Sequence, residues 1–260
     1  MLTPLVWLYQ GPIGLAYVAA AALAFPVLRR LGVLEPPRAL DFAGTDMRGK
    51  IAVVTGCNTG IGYHTALKIG QMGATVVMAC RNPQRAEEAK VRMEAALGAS
   101  DPRAYPFAAA STLLSLTLDL SSLASVKRFA AEFKGRFPRL DVLVCNAGLA
   151  NTPGRSEEGF ELHMATNYLG HYYLTKLLMP QLKAAKGGAR VVAVSSLMHE
   201  FGCLDFQGSL EGRYRSLKDR IFGSNYNDSK LAMVLMTLAL NDRLKVVRAS
   251  EDVPTPHMHM

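Results

Sequence analysis

Tyr226 and Lys230 stand four residues apart in Tyr226–Asn227–Asp228–Ser229–Lys230, inside a stretch that reads as a helix from about Asn225 to Lys245. At that spacing both side chains leave the same helix face. A phenol is a poor acid or base at neutral pH, and an ammonium held beside it favours the phenolate. The pair therefore suits proton transfer to or from a substrate oxygen. Alone it is a weak signal, because Tyr and Lys at this spacing also decorate ordinary helix surfaces. Ser196 follows an apolar run, Val191–Ser195, and open α/β sheets place ligands beyond the carboxyl ends of such strands. Its hydroxyl can hold a substrate oxygen beside the tyrosine; Ser195 is the alternative serine, and a strand cap is the plainer role for either. Asn167 lies mid-helix in a segment expected from about Gly159 to Ala184, where an amide has little structural appeal.

The elements that must position these groups begin at Lys50–Ile51–Ala52–Val53–Val54–Thr55–Gly56–Cys57–Asn58–Thr59–Gly60–Ile61–Gly62. A β-branched run, a loop with three glycines and a helical segment from Tyr63 to Met72 make the first βα unit of a dinucleotide-binding sheet. Gly56 permits the tight exit from the strand and Gly60 leaves no Cβ between backbone and pyrophosphate. Gly62 lets the helix pack close, its N-terminal N–H groups aimed at the phosphates. Asn58, Thr59 and Ile61 belong to the same cradle.

Further strands are expected at Thr75–Cys80, Leu114–Leu118, Val142–Cys145 and Val191–Ser195, with helices at Gln84–Leu97 and from Ser121–Ser122 to about Gly135. Gly98 to Thr112 reads as a surface loop. Strands alternating with helices at this pace predict an α/β fold, a Rossmann-like doubly wound parallel sheet. Leu5 to Leu28 carries no charge and is closed by Arg29–Arg30. At about 1.5 Å per residue it reaches roughly 36 Å, enough to cross a bilayer. The positive-inside rule then puts the N-terminus outside and the main domain in the cytosol; a cleaved signal peptide is the rival. The expected organisation is an anchor over 1–30, a linker over 31–49, a catalytic domain over 50–248 and a tail over 249–260.

The 260 residues, 50% hydrophobic, suffice for one sizeable α/β domain with an appendage. The charge of +8 is scattered rather than gathered with aromatics, which argues against nucleic-acid binding and fits an anionic cofactor or membrane surface. Cys57, Cys80 and Cys145 sit at strand ends with no C-x-x-C, as reduced buried thiols would. The histidines share no metal spacing, so no metal is expected.

Taken together, Thr55–Gly62, Cys80–Arg81–Asn82, Asp119–Leu120, Asn146–Ala147–Gly148, Asn167, Ser195–Ser196 and Tyr226–Lys230 resemble the short-chain dehydrogenase/reductase family. The nearest likeness is to its membrane-associated retinol-dehydrogenase-like branch. The resemblance covers roughly Lys50 to Leu244. It implies that Tyr226 exchanges a proton with a carbonyl or alcohol and that Lys230 also binds the nicotinamide ribose. Asn167 would hold a water linking Lys230 to solvent, and Ser196, the second serine, would orient the substrate. Asp119 and Leu120 would flank the adenine, and Asn146, Ala147 and Gly148 the ribose. Asp119 is also compatible with a helix cap. Tyr226 follows Ser196 by 30 positions, and the same branch carries a comparable insert. An NAD enzyme wants a carboxylate after the second strand; here Arg81 and Asn82 stand there, and Arg81 can grip a 2′-phosphate, so NADP(H) is the expected cofactor.

The family continues past this helix with a sixth strand and a Pro-Gly turn. Val253–Met260 is a poor candidate for that strand because of Pro254 and Pro256, and a C-terminally truncated product is the expectation. The resulting expectation is a membrane-anchored oxidoreductase in the endoplasmic reticulum, interconverting a lipophilic carbonyl (retinoid, steroid or long-chain aldehyde) and its alcohol. A cofactor-binding protein without turnover is the alternative. Oligomeric state stays open, a homodimer included.

Overall fold

The computed structural model describes residues 42, 44–150, 152–212 and 225–251, with side chains of the last helix to residue 243. The expected anchor, most of the linker, much of the insert before Tyr226 and the Val253–Met260 segment lie outside these residues. Among the described residues no helix is long and apolar enough to cross a membrane.

The continuous β-branched and apolar runs at Ile51–Thr55, Thr75–Cys80 and Val142–Cys145 form strands buried on both faces, which is how parallel sheets read in sequence. The outer strands, Thr112–Thr117 and Arg190–Ala193, are partly exposed. The strands are β1 (Ile51–Thr55), β2 (Thr75–Cys80), β3 (Thr112–Thr117), β4 (Val142–Cys145) and β5 (Arg190–Ala193). They pair in parallel in the order β3-β2-β1-β4-β5. The crossovers are α1 (Gly60–Gln71), α2 (Pro83–Gly98), α3 (Leu123–Arg136) and α4 (Gly170–Lys183). A six-residue π-helical stretch, Met164–Leu169, leads directly into α4. After β5 come a 3₁₀ turn (Leu197–Phe201), the short α5 (Phe206–Glu211) and the long α6 (Asn225–Glu251).

Two cores result, one on each face of the sheet. Val54, Val76, Met78, Ala66, Ile69 and Met93 pack on the α1/α2 side. Val53, Val77, Phe129, Phe133, Leu143, Leu174, Leu178 and Met233 pack on the α3/α4/α6 side. Each fully buried Leu, Met or Phe adds about 1.5–3 kcal/mol of apolar transfer energy, so this double burial holds the layers together.

The ends of the strands are tied by polar groups. Asp141, just before β4, is 3% exposed and accepts from Ile51 N at 2.9 Å, with Lys50 Nζ at 3.1 Å and Arg139 Nε at 3.3 Å. Its own carbonyl accepts from Arg190 N at 2.9 Å. β1, β4 and β5 are thereby joined at their amino-terminal ends.

Several boundaries differ from expectation for local reasons. β3 starts two residues earlier and stops one earlier because it pairs with β2 from Thr75↔Thr112 to Cys80↔Thr117. β5 ends at Ala193, although Val194 N still donates to Cys145 O at 3.0 Å. The helix expected from Gly159 begins later: Glu161 forms a bridge with Arg155, and its Oε2 accepts from Met164 N at 2.9 Å, opening the helix there. The Gly98–Thr112 loop contains a 3₁₀ turn at Ala108–Ala110, and Arg48 stacks over Phe107 at 4.3 Å. α6 runs on to Glu251, past the expected Lys245.

Candidate active site

The carboxyl ends of β1, β4 and β5 converge on one site. Thr55 closes β1 and is fully buried, and its hydroxyl oxygen accepts from Asn146 N and Ala147 N, both at 2.9 Å. His171 Nδ1 donates to Asn167 O at 2.9 Å, which leaves Nε2 to accept from Thr55 Oγ1 at 2.9 Å. Burial pushes His171 down to about 4, so the ring is neutral and this tautomer holds. Asn146 Nδ2 donates to Thr55 O at 2.9 Å and Gly56 O at 3.3 Å. The exit of β4 is therefore clamped to the start of the glycine loop.

That loop has the shape a pyrophosphate requires. Gly56 (φ 63°) and Gly60 (φ 59°) adopt left-handed backbone, which favours glycine. A Cβ on Gly62 would overlap Asn146 Nδ2 and the Gly56 carbonyl, whereas one on Gly60 would meet open space. Gly62 thus serves close packing, and Gly60 leaves a bare, accessible backbone. Thr59 precedes α1 without a side-chain cap, and no acid lies in the helix's first turn. The N–H groups there are free to meet an anion. Arg92 Nη2 donates to Asn58 O at 3.3 Å, bracing the loop from α2. Ile61 is 70% exposed at the mouth. These features fit a dinucleotide.

Arg81 is exposed just beyond β2. Asn82 caps α2, its Oδ1 accepting from Arg85 N at 2.9 Å. Asp119 Oδ1 accepts from Ser121 N at 2.9 Å and Ser121 Oγ at 2.6 Å, while the cap of α3 is Ser122. The Leu120 side chain is in the core, with its carbonyl against Gly170.

Lys230 is held at both ends by β5's exit. Its Nζ donates to Val194 O at 3.1 Å, and its carbonyl accepts from Ser195 Oγ at 2.9 Å. The Nζ lies 5.7 Å from the Tyr226 ring centroid. Burial pushes Lys230 down from the usual lysine range, so it sheds a proton more readily than a surface lysine. Asn167 Oδ1 accepts from Leu149 N at 2.9 Å, and its Nδ2 donates to Leu149 O at 3.1 Å and Ser229 Oγ at 2.9 Å. A Cβ on Gly148 would sit 3.3 Å from Asn167 Oδ1 and 3.5 Å from Lys230 Nζ. Asn167, Gly148 and Lys230 are thus gathered around one point. Ser196 Oγ accepts from Met198 N at 3.3 Å as cap of the 3₁₀ turn, and among the described residues no acceptor takes its own proton.

Sequence reasoning assigned no part to Thr55, His171 or Ser229. Ser229 carried a signal, since it lies three residues beyond Tyr226 on the same helix face. The Glu161–His163 pair, at 2.6 Å, was also missed; His163 sits edge-on to Tyr226 with centroids 6.3 Å apart. Among the described residues no group of side chains has the makings of a metal site.

The short chain dehydrogenase family model matches residues 50–206. The chain belongs to that family. Cattle "Dehydrogenase/reductase SDR family member 13" is 40% identical over 202 residues, covering 76% of this chain and 48% of the relative. Mouse "Retinol dehydrogenase 14" is 37% identical over 212 residues, covering 81% and 61%. The chain therefore spans about half to two thirds of such relatives. Among solved structures, an uncharacterised Mycobacterium paratuberculosis protein is 33% identical with TM-score 0.62, covering 78% of this chain and 65% of that one. The Pseudomonas aeruginosa RhlG/NADP active-site complex shares the fold at 24% identity and TM-score 0.56, covering 77% and 68%.

Proposed function

We propose that this chain is an NADP(H)-dependent oxidoreductase that interconverts a lipophilic carbonyl compound and its alcohol. The observation that carries this reading is Lys230, pinned to the end of β5 and set beside the Tyr226 ring. Bound NADPH would supply the hydride. Gly56, Asn58, Thr59, Gly60, Ile61 and Gly62 would hold its pyrophosphate against the α1 N-terminus, and Arg81 with Asn82 the 2′-phosphate. The backbone at Asp119–Leu120 would face the adenine, with Asn146, Ala147 and Gly148 along the ribose. Ser196 donates its proton to the substrate oxygen and fixes it in front of Tyr226. Tyr226 gives that oxygen a proton in reduction and takes it back in oxidation. Lys230 favours the tyrosinate electrostatically, and Asn167 sets the backbone beside Lys230 through which water reaches it.

Retinoids, steroids and long-chain aldehydes are the substrate classes we favour. The apolar Leu5–Leu28 segment supports attachment to the endoplasmic reticulum membrane with this domain in the cytosol. A homodimer is compatible with the fold. The test is NADPH oxidation by the purified full chain with retinal and aliphatic aldehydes. Turnover unchanged in Tyr226→Phe would sink the assignment.

One observation favours a second reading, a cofactor-binding protein without turnover. Among the described strands β5 pairs only with β4, and Val192 is 46% exposed. NADPH should raise the melting temperature under both readings, whereas turnover belongs to the first alone.

A further inference from the structure

Cys57 and Cys80 are two thiols that the proposed chemistry does not use. Cys57 follows Gly56 in the glycine loop, and Cys80 is the last residue of β2. Both are free, both belong to the core on the α1/α2 side, and their Sγ atoms lie 3.7 Å apart. A disulfide needs about 2.05 Å, so roughly 1.7 Å remains to be closed. The two sulfurs are not equivalent. The Cys57 thiol and the backbone N–H groups of Cys57 and Asn58 converge on the Cys80 sulfur and hold it below the ordinary cysteine range. The same contact with Cys80, together with burial, pushes Cys57 up. Cys80 is therefore the readier nucleophile, and Cys57 the thiol that keeps its proton. The pair itself is buried, but Thr59, Gly60, Ile61 and Arg81 around it are exposed, so a local opening of the loop admits a small oxidant.

We propose that Cys57 and Cys80 are a site of reversible oxidation by a hydroperoxide, closing to a disulfide that shuts the glycine loop to its dinucleotide. The consequence for binding rests on the dinucleotide reading given above. The Cys80 thiolate attacks one peroxide oxygen. An S–O bond forms, the O–O bond breaks, and the departing hydroxide takes up a proton as water. The Cys57 sulfur then attacks the Cys80 sulfur. The S–S bond forms, the S–O bond breaks, and the oxygen leaves as a second water with the Cys57 proton. Two thiols lose two electrons and two protons in all, and one peroxide becomes two waters. Cys80 is fixed in the sheet, paired with Thr117 and accepting from Leu118 N at 3.0 Å, so the loop must travel. Its movement drags the backbone between Gly56 and Gly60 that would meet the pyrophosphate. A bound dinucleotide covers that backbone and sets negative charge against the Cys80 thiolate, so it protects the pair.

The test uses the full chain in neutral non-ionic micelles, reduced, desalted and treated with hydrogen peroxide, with peptides mapped by mass spectrometry without reductant. A peptide pair joined through Cys57 and Cys80 is expected, two hydrogens lighter than its parts and separated again by dithiothreitol. NADP⁺ affinity, read by calorimetry, should fall roughly tenfold on oxidation and return with dithiothreitol. NADP⁺ at about ten times its Kd should slow the crosslinking roughly tenfold. Cys57→Ala, or Cys57→Ser should the alanine variant not fold, should show one affinity before and after peroxide. Cys145→Ala with Cys203→Ala should keep the crosslink. Oxidation of Cys203 without a Cys57–Cys80 crosslink, a crosslink that leaves affinity unchanged, or a loss of affinity that survives in the Cys57 variant would overturn the proposal. A reduced chain that binds no NADP⁺ would overturn the dinucleotide reading and the effect on binding with it, while the peptide map still decides the disulfide.

Discussion

The sheet is knotted at its amino-terminal end by Asp141 and at its carboxyl end by Thr55, and the knots are made of different chemistry. Asp141 is a buried carboxylate flanked by Lys50 and Arg139, which uses charge to lock three strands. Thr55 is a neutral hydroxyl joined to two backbone N–H groups and a neutral histidine. The charged knot is remote from the glycine loop, whereas the neutral one lies directly under it. Neutral bonding leaves the field at the carboxyl end to Lys230, Arg81 and the α1 N-terminus, the groups that would meet an anion. One end can be spent on rigidity because the other is kept clear for a ligand.

The strongest way to break this contrast is at the carboxyl end. Tyr226→Phe should lower NADPH-dependent turnover by about 10²–10⁴-fold with little change in urea unfolding, because only the proton-carrying oxygen is removed. A large stability loss in this variant would mean that the tyrosine belongs to the scaffold. Asp141→Ala should do the reverse. Losing the carboxylate strips the buried Ile51 N–H of its acceptor, at about 1–3 kcal/mol in urea unfolding. Lys50 and Arg139 are partly exposed and rehydrate, while KM for NADPH in the surviving folded enzyme stays unchanged.

His171 sharpens the comparison through pH. Its folded value of about 4 lies below the roughly 6.5 of an exposed histidine. Between those values the unfolded chain binds the proton and the folded one does not. The stability is complete above about pH 6.5 and is lost as pH falls toward 4, by about 3 kcal/mol in all. His171→Gln should remove this slope, as read by urea unfolding at neutral and acid pH. The smallest effect is expected from Arg81→Ala. Its side chain is exposed, so the KM ratio between NADH and NADPH should fall by about tenfold, with kcat held.

How legible all this was depended on distance along the chain. β2 and β4 were read to the residue because each is an unbroken apolar run cut off by a charge or an asparagine. The Tyr226–Lys230 pair and the glycine loop were legible for a similar reason, since their geometry is local. The Thr55–His171 bond joins residues 116 apart, and no pattern near either residue announces it. Asn82 and Asp119 were read for their place after a strand, and their caps and turns depend on backbone that only the folded chain supplies. The edges of β3 and β5 shifted because pairing with a neighbour, rather than composition, decides where a strand stops.

The wide turn at Met164–Leu169 lets a single rod answer to two masters. Within it Asn167 reaches toward Leu149 and Ser229, and downstream Leu174, Leu178 and Leu182 fill the interior. Deleting one residue there would twist everything beyond it by about 100°, the angular step of one residue in an α-helix. Either the amide would swing away from Leu149 or the leucines would swing into water. This short segment thus sets the phase between scaffold and chemistry, and a change of length here would be felt more sharply than most changes of side chain.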